Sequence, residues 1–429
     1  RGPIATMDPE SSYMEQRSIR GSLSLESGSP PPPAPVRSML IVFMCMFQGY
    51  AAMVGPCQSK FKNALGVSTG SDAAKDAFFA AAAFVHWGKF VARLGHSFLV
   101  CLEPRDRIYL AMVLMAVGTA IPPVFTFALG YQWLGQVFLS YGMSGIGLGI
   151  FEVTFLSVIA PLGKGTKSWA ILGAPIGFGA VNIVGLFCTS LGMPVEILYW
   201  YIVACIPVGI AIFRCYAPSR LEMSMLARSG KTVGPVEALR DWREWLPTVW
   251  PLLISQAVSH FVMENVTPVL FNTYNDFGGY VPLFSPSDEG NLMKQDQFFA
   301  LVYVFILLGD TVSRSFSYRY FQNTGYRGTL CVLAVSTGLS IIGFFLNALA
   351  IAVVSLPAVF LAFWGNGMVY AVSNMSIDRY VSAQHNVHAY SVWCFVGDLG
   401  AITGANLVRP VQLAICGGKT YKYECKTNG

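Results

Sequence analysis

The sequence predicts an all-α polytopic membrane protein whose eleven or twelve transmembrane helices form two parallel repeats. Three observations predict it: a shortage of charge, a succession of long apolar runs, and a charged motif that recurs at the same place in both halves. Of 429 residues, 54% are hydrophobic and only 12% charged, with a mean hydropathy of +0.52. Soluble domains carry about 25% charged residues. A deficit spread over so many segments excludes a single soluble core, and a net charge of +5 gives no ground for a nucleic-acid partner.

Residues 1–37 are polar, rich in Ser, Arg and Pro, and end in the run Pro30–Pro33. Such a segment buries too little apolar surface to fold alone, so a disordered cytosolic tail is expected. No apolar run precedes residue 38, so no cleavable signal peptide is expected either. A spanning helix needs about 20 mostly apolar residues. Eleven runs qualify, at about 38–57, 77–101, 108–129, 132–160, 168–191, 195–215, 247–274, 296–318, 328–350, 352–376 and 388–415. Between the sixth and seventh lies the one long charged connector, 216–246, so the chain divides into a six-helix bundle over 38–215 and a second bundle over 247–416. Residues 417–429 read as a polar tail.

Loop charge sets the orientation. With the N-terminus in the cytosol, the loops on that side hold Arg105, Arg107, Lys164, Lys167, Arg214, Arg220, Arg228, Lys231, Arg240, Arg243, Arg319, Arg327 and Arg379; the opposite loops hold Lys60, Lys62, Lys75 and Lys294. The loop between the seventh and eighth spans is acidic, through Asp276, Asp288, Glu289 and Asp296. An odd number of helices places the last tail on the far side, unless a twelfth helix completes the second half.

The repeat shows in the second and eighth spans. Residues 88–93 read GKFVAR and residues 309–314 read GDTVSR. At a similar offset, Gly147, Gly149 and Glu152 of the fourth span fall opposite Gly365, Gly367 and Tyr370 of the tenth. Two matches in register, in helices of equal rank, predict two parallel six-helix repeats related by an axis along the membrane normal, the major-facilitator arrangement.

Charge at the bilayer centre costs about 2.5–3.5 kcal/mol even on the insertion scale, so polar groups inside the spans mark a partner or a wet pathway. The seventh span places Gln256, His260 and Glu264 at i, i+4 and i+8, all on one face. The tenth does the same with Asn366, Tyr370 and Asn374, and the fourth with Ser144 and Glu152. In a major-facilitator bundle the first, fourth, seventh and tenth helices line the central pathway; the first offers only Gln48. Asp310 and Arg314 are spaced for an ion pair within the eighth span. Lys89 and Arg93, like charges four apart in the second, need an anion, for which Asp310 or a substrate anion would serve. His86 and His96 read as histidines satisfied within the bundle, and Glu264 as either a pathway group or a cap for the far end of its helix.

The glycines of the fourth and fifth spans serve close helix approach. With no strand expected, they form no phosphate loop. No H-E-x-x-H, G-x-S-x-G or plausible triad occurs, so an enzyme is not expected. The ten cysteines lack paired spacings, and most fall in apolar runs as small hydrophobes; neither a metal nor a cofactor is expected. Asn265-Val266-Thr267 matches the glycosylation pattern but lies inside a helix.

The run EVTFLS (Glu152–Ser157), with Ser144-Gly145 upstream, resembles the fourth-helix signature of the battenin family, endolysosomal membrane proteins of major-facilitator type. Ser313-Arg314-Ser315, Tyr370 with Asn374, and Cys394–Gly404, where Asp398 and Gly400 fit, look similar too, so the likeness covers about residues 140–410. The first three spans match poorly. In the seventh, His260 stands where the family has a glutamate, with Glu264 one turn later. The resemblance implies a lysosomal, vacuolar or late-endosomal membrane, movement of a small polar solute such as a glycerophosphodiester or basic amino acid, and a part in luminal pH balance. Lys89, Arg93, Asp310 and Arg314, with Asp398 of the matching Cys394–Gly404 segment, are the expected gating and ion-pair network.

Protons are the expected coupling ion. Burial disfavours a charged carboxylate, so Glu152, expected to face the helix-seven stripe, is expected to exchange protons with His260 in an acidic lumen, to couple that acidity to opening, and to need His260, Arg314 or substrate when ionised. Lys89, Arg93 and Arg314 together favour an anionic solute. An equilibrative nucleoside transporter-like carrier and a non-transporting scaffold are the alternative readings.

Overall fold

The structure, a computed structural model, describes residues 37–54, 56–67, 72–95, 102–159, 162, 164–217, 237, 240–274, 279–284, 290–382 and 384–417. His96, Asp276, Asp288, Glu289, most of the tail 1–37, most of the connector and residues 418–429 lie outside them.

Among the described residues, helices stand at all eleven places where a span was expected. The first is Ser38–Val54, followed by the short helix Pro56–Ala64. The second is split into Asp72–Ala82 and Phe84–Leu94 rather than running unbroken. At the junction the His86 amide bonds back to the Ala83 carbonyl at 3.0 Å, an i+3 bond that tightens the turn. The third begins with Pro104 at its first turn, where a missing N–H costs nothing. It ends at Pro122–Ala128, where two consecutive prolines widen the last turns to π geometry. Gly135–Ile159, Lys164–Ser190 and Val195–Tyr216 complete the first half. Between the fifth and sixth, Gly192 turns the chain at φ 95°, which a side chain would resist.

The second half comprises Trp242–Tyr274, Gln295–Tyr320, Tyr326–Asn347, Ala352–Tyr380 and Asn386–Gly417. The seventh helix begins at Trp242, so the final residues assigned to the connector are already helical. A two-stranded antiparallel hairpin follows, Tyr280–Pro282 pairing with Leu292–Lys294. This corrects the expectation that the chain holds no strand; the short runs escape a reading tuned to 20-residue segments. Nine described helices are long and apolar enough to cross a membrane, and the protein is a multi-pass membrane protein. Among the described residues no twelfth span stands as counterpart to the sixth.

The two halves pack alike. Span one lies chiefly on span five, two on four, and three on four; in the second half seven lies on eleven, eight on ten, and nine on ten. Small residues carry these contacts in matching register. A Cβ on Gly88 would meet the Gly142 carbonyl at 2.7 Å, and one on Gly309 the Phe360 carbonyl at 2.6 Å. Likewise a Cβ on Gly149 would sit 2.7 Å from the Lys89 carbonyl, and one on Gly367 2.7 Å from that of Asp310. The GKFVAR and GDTVSR helices are thus held by equivalent neighbours at equivalent residues. Across the interface, span five packs on eight and span two on eleven, again a symmetric pair.

Aromatic side chains pack within each half, and one buried apolar cluster runs across both, from Phe43 and Phe151 to Val369 and Trp393. Phe43, Phe151 and Phe155 of the first half pack at ring separations of 4.7–5.5 Å. In the second, Tyr274, Phe298 and Phe299 do the same at 5.1–5.6 Å.

Candidate functional site

The site is built where spans two and eight press on the opposite half. On span two, His86, Lys89 and Arg93 fall at i, i+3 and i+7, a single stripe, and all three are buried. The Arg93 guanidinium meets Glu152 of span four and the Cys394 carbonyl of span eleven, and its Nη1 lies 2.6 Å from Asp398 Oδ2. Lys89 Nζ stands 3.3 Å from Asp398 Oδ1 and 5.1 Å above the Tyr50 ring. Asp398 is fully buried.

Span eight repeats the motif with one change of sign. Arg314 donates from Nε and Nη2 to both oxygens of Asp310, at 2.9 and 2.8 Å. Its Nη1 donates to the Ile171 carbonyl of span five at 3.2 Å, and its guanidinium lies 4.3 Å over the Tyr370 ring. Four residues past Ile171 stands Pro175, which has no N–H to claim that carbonyl. Arg93 on the Cys394 carbonyl and Arg314 on the Ile171 carbonyl are therefore two copies of one arrangement, each reaching from one half to the other.

Toward the membrane face where span one begins, hereafter the Ser38 face, a third tie joins the halves. Lys167 Nζ of span five is 2.7 Å from Asp378 Oδ2 of span ten and bonds to the Tyr390 hydroxyl of span eleven. Tyr390 in turn donates to Asp378 at 3.0 Å and to the Asn374 carbonyl at 2.8 Å. Deeper in the bundle, Glu264 Oε2 lies 3.5 Å from His86 Nε2, and the Tyr50 hydroxyl donates to Glu264 Oε1 at 3.5 Å. Spans one, two and seven meet there through polar atoms.

No family profile matches the sequence, and no curated protein matches it. Solved structures do. A peptide transporter, POT, in complex with sulfate superposes with a TM-score of 0.59 over 89% of this chain and 90% of its own, at 12% identity. A mutant POT peptide transporter in complex with alafosfalin gives 0.59 over 94% and 95%, also at 12%. The E. coli fucose:proton symporter FucP gives 0.59 over 90% and 93%, at 16% identity. The fold is of major-facilitator type.

Within this major-facilitator bundle the stripes read from the sequence part company. Glu152 is answered by Arg93, not by the span-seven stripe. Lys89 and Arg93 find their anions in Asp398 and Glu152, correcting the expectation of Asp310 or substrate; Asp310 is spent on Arg314 of its own helix. Gln256 and His260 pair with each other at 2.7 Å. Asn366 accepts from Ser259 of span seven at 2.8 Å, while Asn374 donates to the Tyr370 carbonyl at 2.9 Å. Asn265 is buried and donates to the Gly404 carbonyl at 3.1 Å, as expected of a residue inside the bundle.

Tyr50 and the Lys167–Asp378–Tyr390 tie were missed. A lone tyrosine in the apolar run QGYAAM carries no signal in a single sequence. Lys167 read as a loop charge, because the helix was expected to begin after it and begins at Lys164 instead. Among the described residues no cluster of His, Cys, Asp or Glu could hold a metal ion.

Proposed function

We propose that the protein is a membrane transporter that moves a small polar solute by alternately separating its two halves at either membrane face, with protons as the coupled ion. The observation that carries this is the nature of the contact between the halves near the Ser38 face. Arg93, Arg314 and Lys167 each cross the interface to a carbonyl or carboxylate. Buried ion pairs return little net stability, because their Coulomb gain offsets the desolvation of both charges. When water enters an opening cleft the same groups are hydrated at modest cost, so such an interface parts more readily than apolar packing.

The fold likeness supports a carrier rather than an enzyme, since the similar structures are described as a peptide transporter and a fucose:proton symporter. The EVTFLS segment and the Asp398 region support a battenin-like setting: an endolysosomal or vacuolar membrane, the Ser38 face toward the cytosol, and a role in luminal pH. The excess of Lys and Arg in the sequence of the loops expected on that side supports the orientation. The case for an anionic solute is weakened, because all three basic groups that motivated it have internal partners.

The test is solute flux in proteoliposomes of the purified protein, with and without a pH gradient, against glycerophosphodiesters, basic amino acids and nucleosides. Accelerated flux of one class under an inward proton gradient is expected. No flux of any class would leave the scaffold reading. Protease protection of an N-terminal tag in intact organelles would refute the orientation.

A further inference from the structure

The charged groups that lie between the two halves do not cancel. Among the described residues, the interior cations are Lys89, Arg93, Arg314 and Lys167; the carboxylates are Glu152, Asp398, Asp310, Asp378 and Glu264. Four of the five carboxylates stand against a lysine or arginine. Glu264 does not: its neighbours within reach are the Tyr50 hydroxyl and the His86 ring, both at 3.5 Å. A carboxylate held in a low-dielectric interior with no full cation neutralises itself by other means. The titratable groups facing it are Tyr50 from span one, His86 and Lys89 from span two, His260 one turn away on its own helix, and Asp398 from span eleven. Lys89, the nearest cation, is committed to Asp398.

We propose that Glu264, with Tyr50 and His86 as its positioning partners, is where the transporter binds and releases its coupling proton. The proposal deepens the transport reading by assigning the proton to one residue. Glu264 belongs to the second half, whereas Tyr50 and His86 belong to the first. Separation of the halves removes one hydrogen-bond donor and the imidazole from the carboxylate at once. Its proton affinity therefore differs between the two states, and by linkage the proton biases the equilibrium between them. The net step is binding of one proton to a carboxylate oxygen, with no other bond made or broken. Glu152, closed in the Arg93 pair, has no comparable change of partner.

The test is independent of the solute. Spin labels at Glu103→Cys and Gln322→Cys, exposed positions before span three and after span eight on the Ser38 face, report the separation of the halves in the full-length protein in lipid nanodiscs. Between pH 5 and pH 8 the distance distribution is expected to shift with native Glu264 and to stay fixed with Glu264→Gln, while Glu264→Asp retains the shift. A pH response unchanged in Glu264→Gln overturns the proposal, as does no response in the parent. If sodium at pH 8 reproduces the effect of acid, the site takes a metal cation and the proton assignment is wrong. Should Glu264→Gln not fold, Tyr50→Phe carries the test: a shifted midpoint supports the proposal and an unshifted one overturns it. Absence of flux with a surviving pH response would remove the transport reading and leave this site standing.

Discussion

Arg93 donates to the Cys394 carbonyl as Arg314 donates to that of Ile171, so each half closes on the other with one arginine at an equivalent place. The two are not equal in consequence. Arg314 takes its anion from its own helix, whereas Arg93 takes Glu152 from its own half and Asp398 from the other. Removing one partner of a buried pair costs about 3–5 kcal/mol, because a buried charge is left behind. Arg93→Ala strands Glu152 and leaves Asp398 with Lys89 alone, and is expected to destabilise the protein by about that much. Adding Glu152→Gln, which removes the stranded charge, should recover part of the loss. Thermal unfolding of the single and double variants in detergent measures it, and a double variant no more stable than Arg93→Ala would contradict the pairing.

The Lys167–Asp378 tie is expected to act on conformation more than on folding, since it sits at the edge of the bundle with Asp378 about one-third exposed. Lys167→Ala should shift the spin-label distance between positions 103 and 322 toward the open form on the Ser38 face. The charge swap Lys167→Asp with Asp378→Lys should restore the closed form. Tyr390→Phe, which removes only the hydroxyl, should have a smaller effect in the same direction. A swap that behaves like Lys167→Ala would show that the helix ends, not their charges, hold the face closed.

Close packing at the repeat-related glycines yields a third expectation. Gly149→Leu drives a side chain into the Lys89 backbone, and Gly367→Leu drives one into the Asp310 carbonyl and, nearer still, the Ser313 hydroxyl. Overpacking costs about 1–3 kcal/mol in adaptable cores, and backbone cannot yield as a side chain does, so both should lie at or above the top of that range. Gly142→Ala meets only the Phe84 ring at 3.9 Å and should be tolerated. Yield of monodisperse protein and unfolding temperature decide it; equal tolerance at all three positions would refute the packing.

How much of this was legible follows from the length scale of each signal. Twenty-residue apolar runs and a six-residue motif repeated at fixed offset are long-range patterns, and they carried the helices and the duplicated bundle. The spacing of Asp310 and Arg314 within one helix was enough for their pairing. Partners on different helices were not legible. Glu152 and Arg93 are 59 residues apart, and Arg93 and Cys394 are 301 apart. Nothing local distinguishes Asp398 from Asp310 as the anion for Lys89. The resemblance alone placed Asp398 near the network, and only the packing of span two on span eleven shows why.

Pro175 offers the last test, because its effect on stability and its effect on the interface oppose each other. Proline inside a helix costs about 3 kcal/mol relative to alanine, so Pro175→Ala should by itself strengthen span five. It also supplies an N–H at position 175, which can bond to the Ile171 carbonyl and compete with Arg314. If the proline is there to keep that carbonyl free, then Arg314→Ala should cost less in the Pro175→Ala background than in the parent. The expected coupling is about 0.5–2 kcal/mol, the range for residues sharing one partner. A double-mutant cycle on unfolding free energy reads it directly. Strict additivity would mean that Arg314 gains nothing from the proline, and that its contribution to stability rests on Asp310 and Tyr370 of its own half.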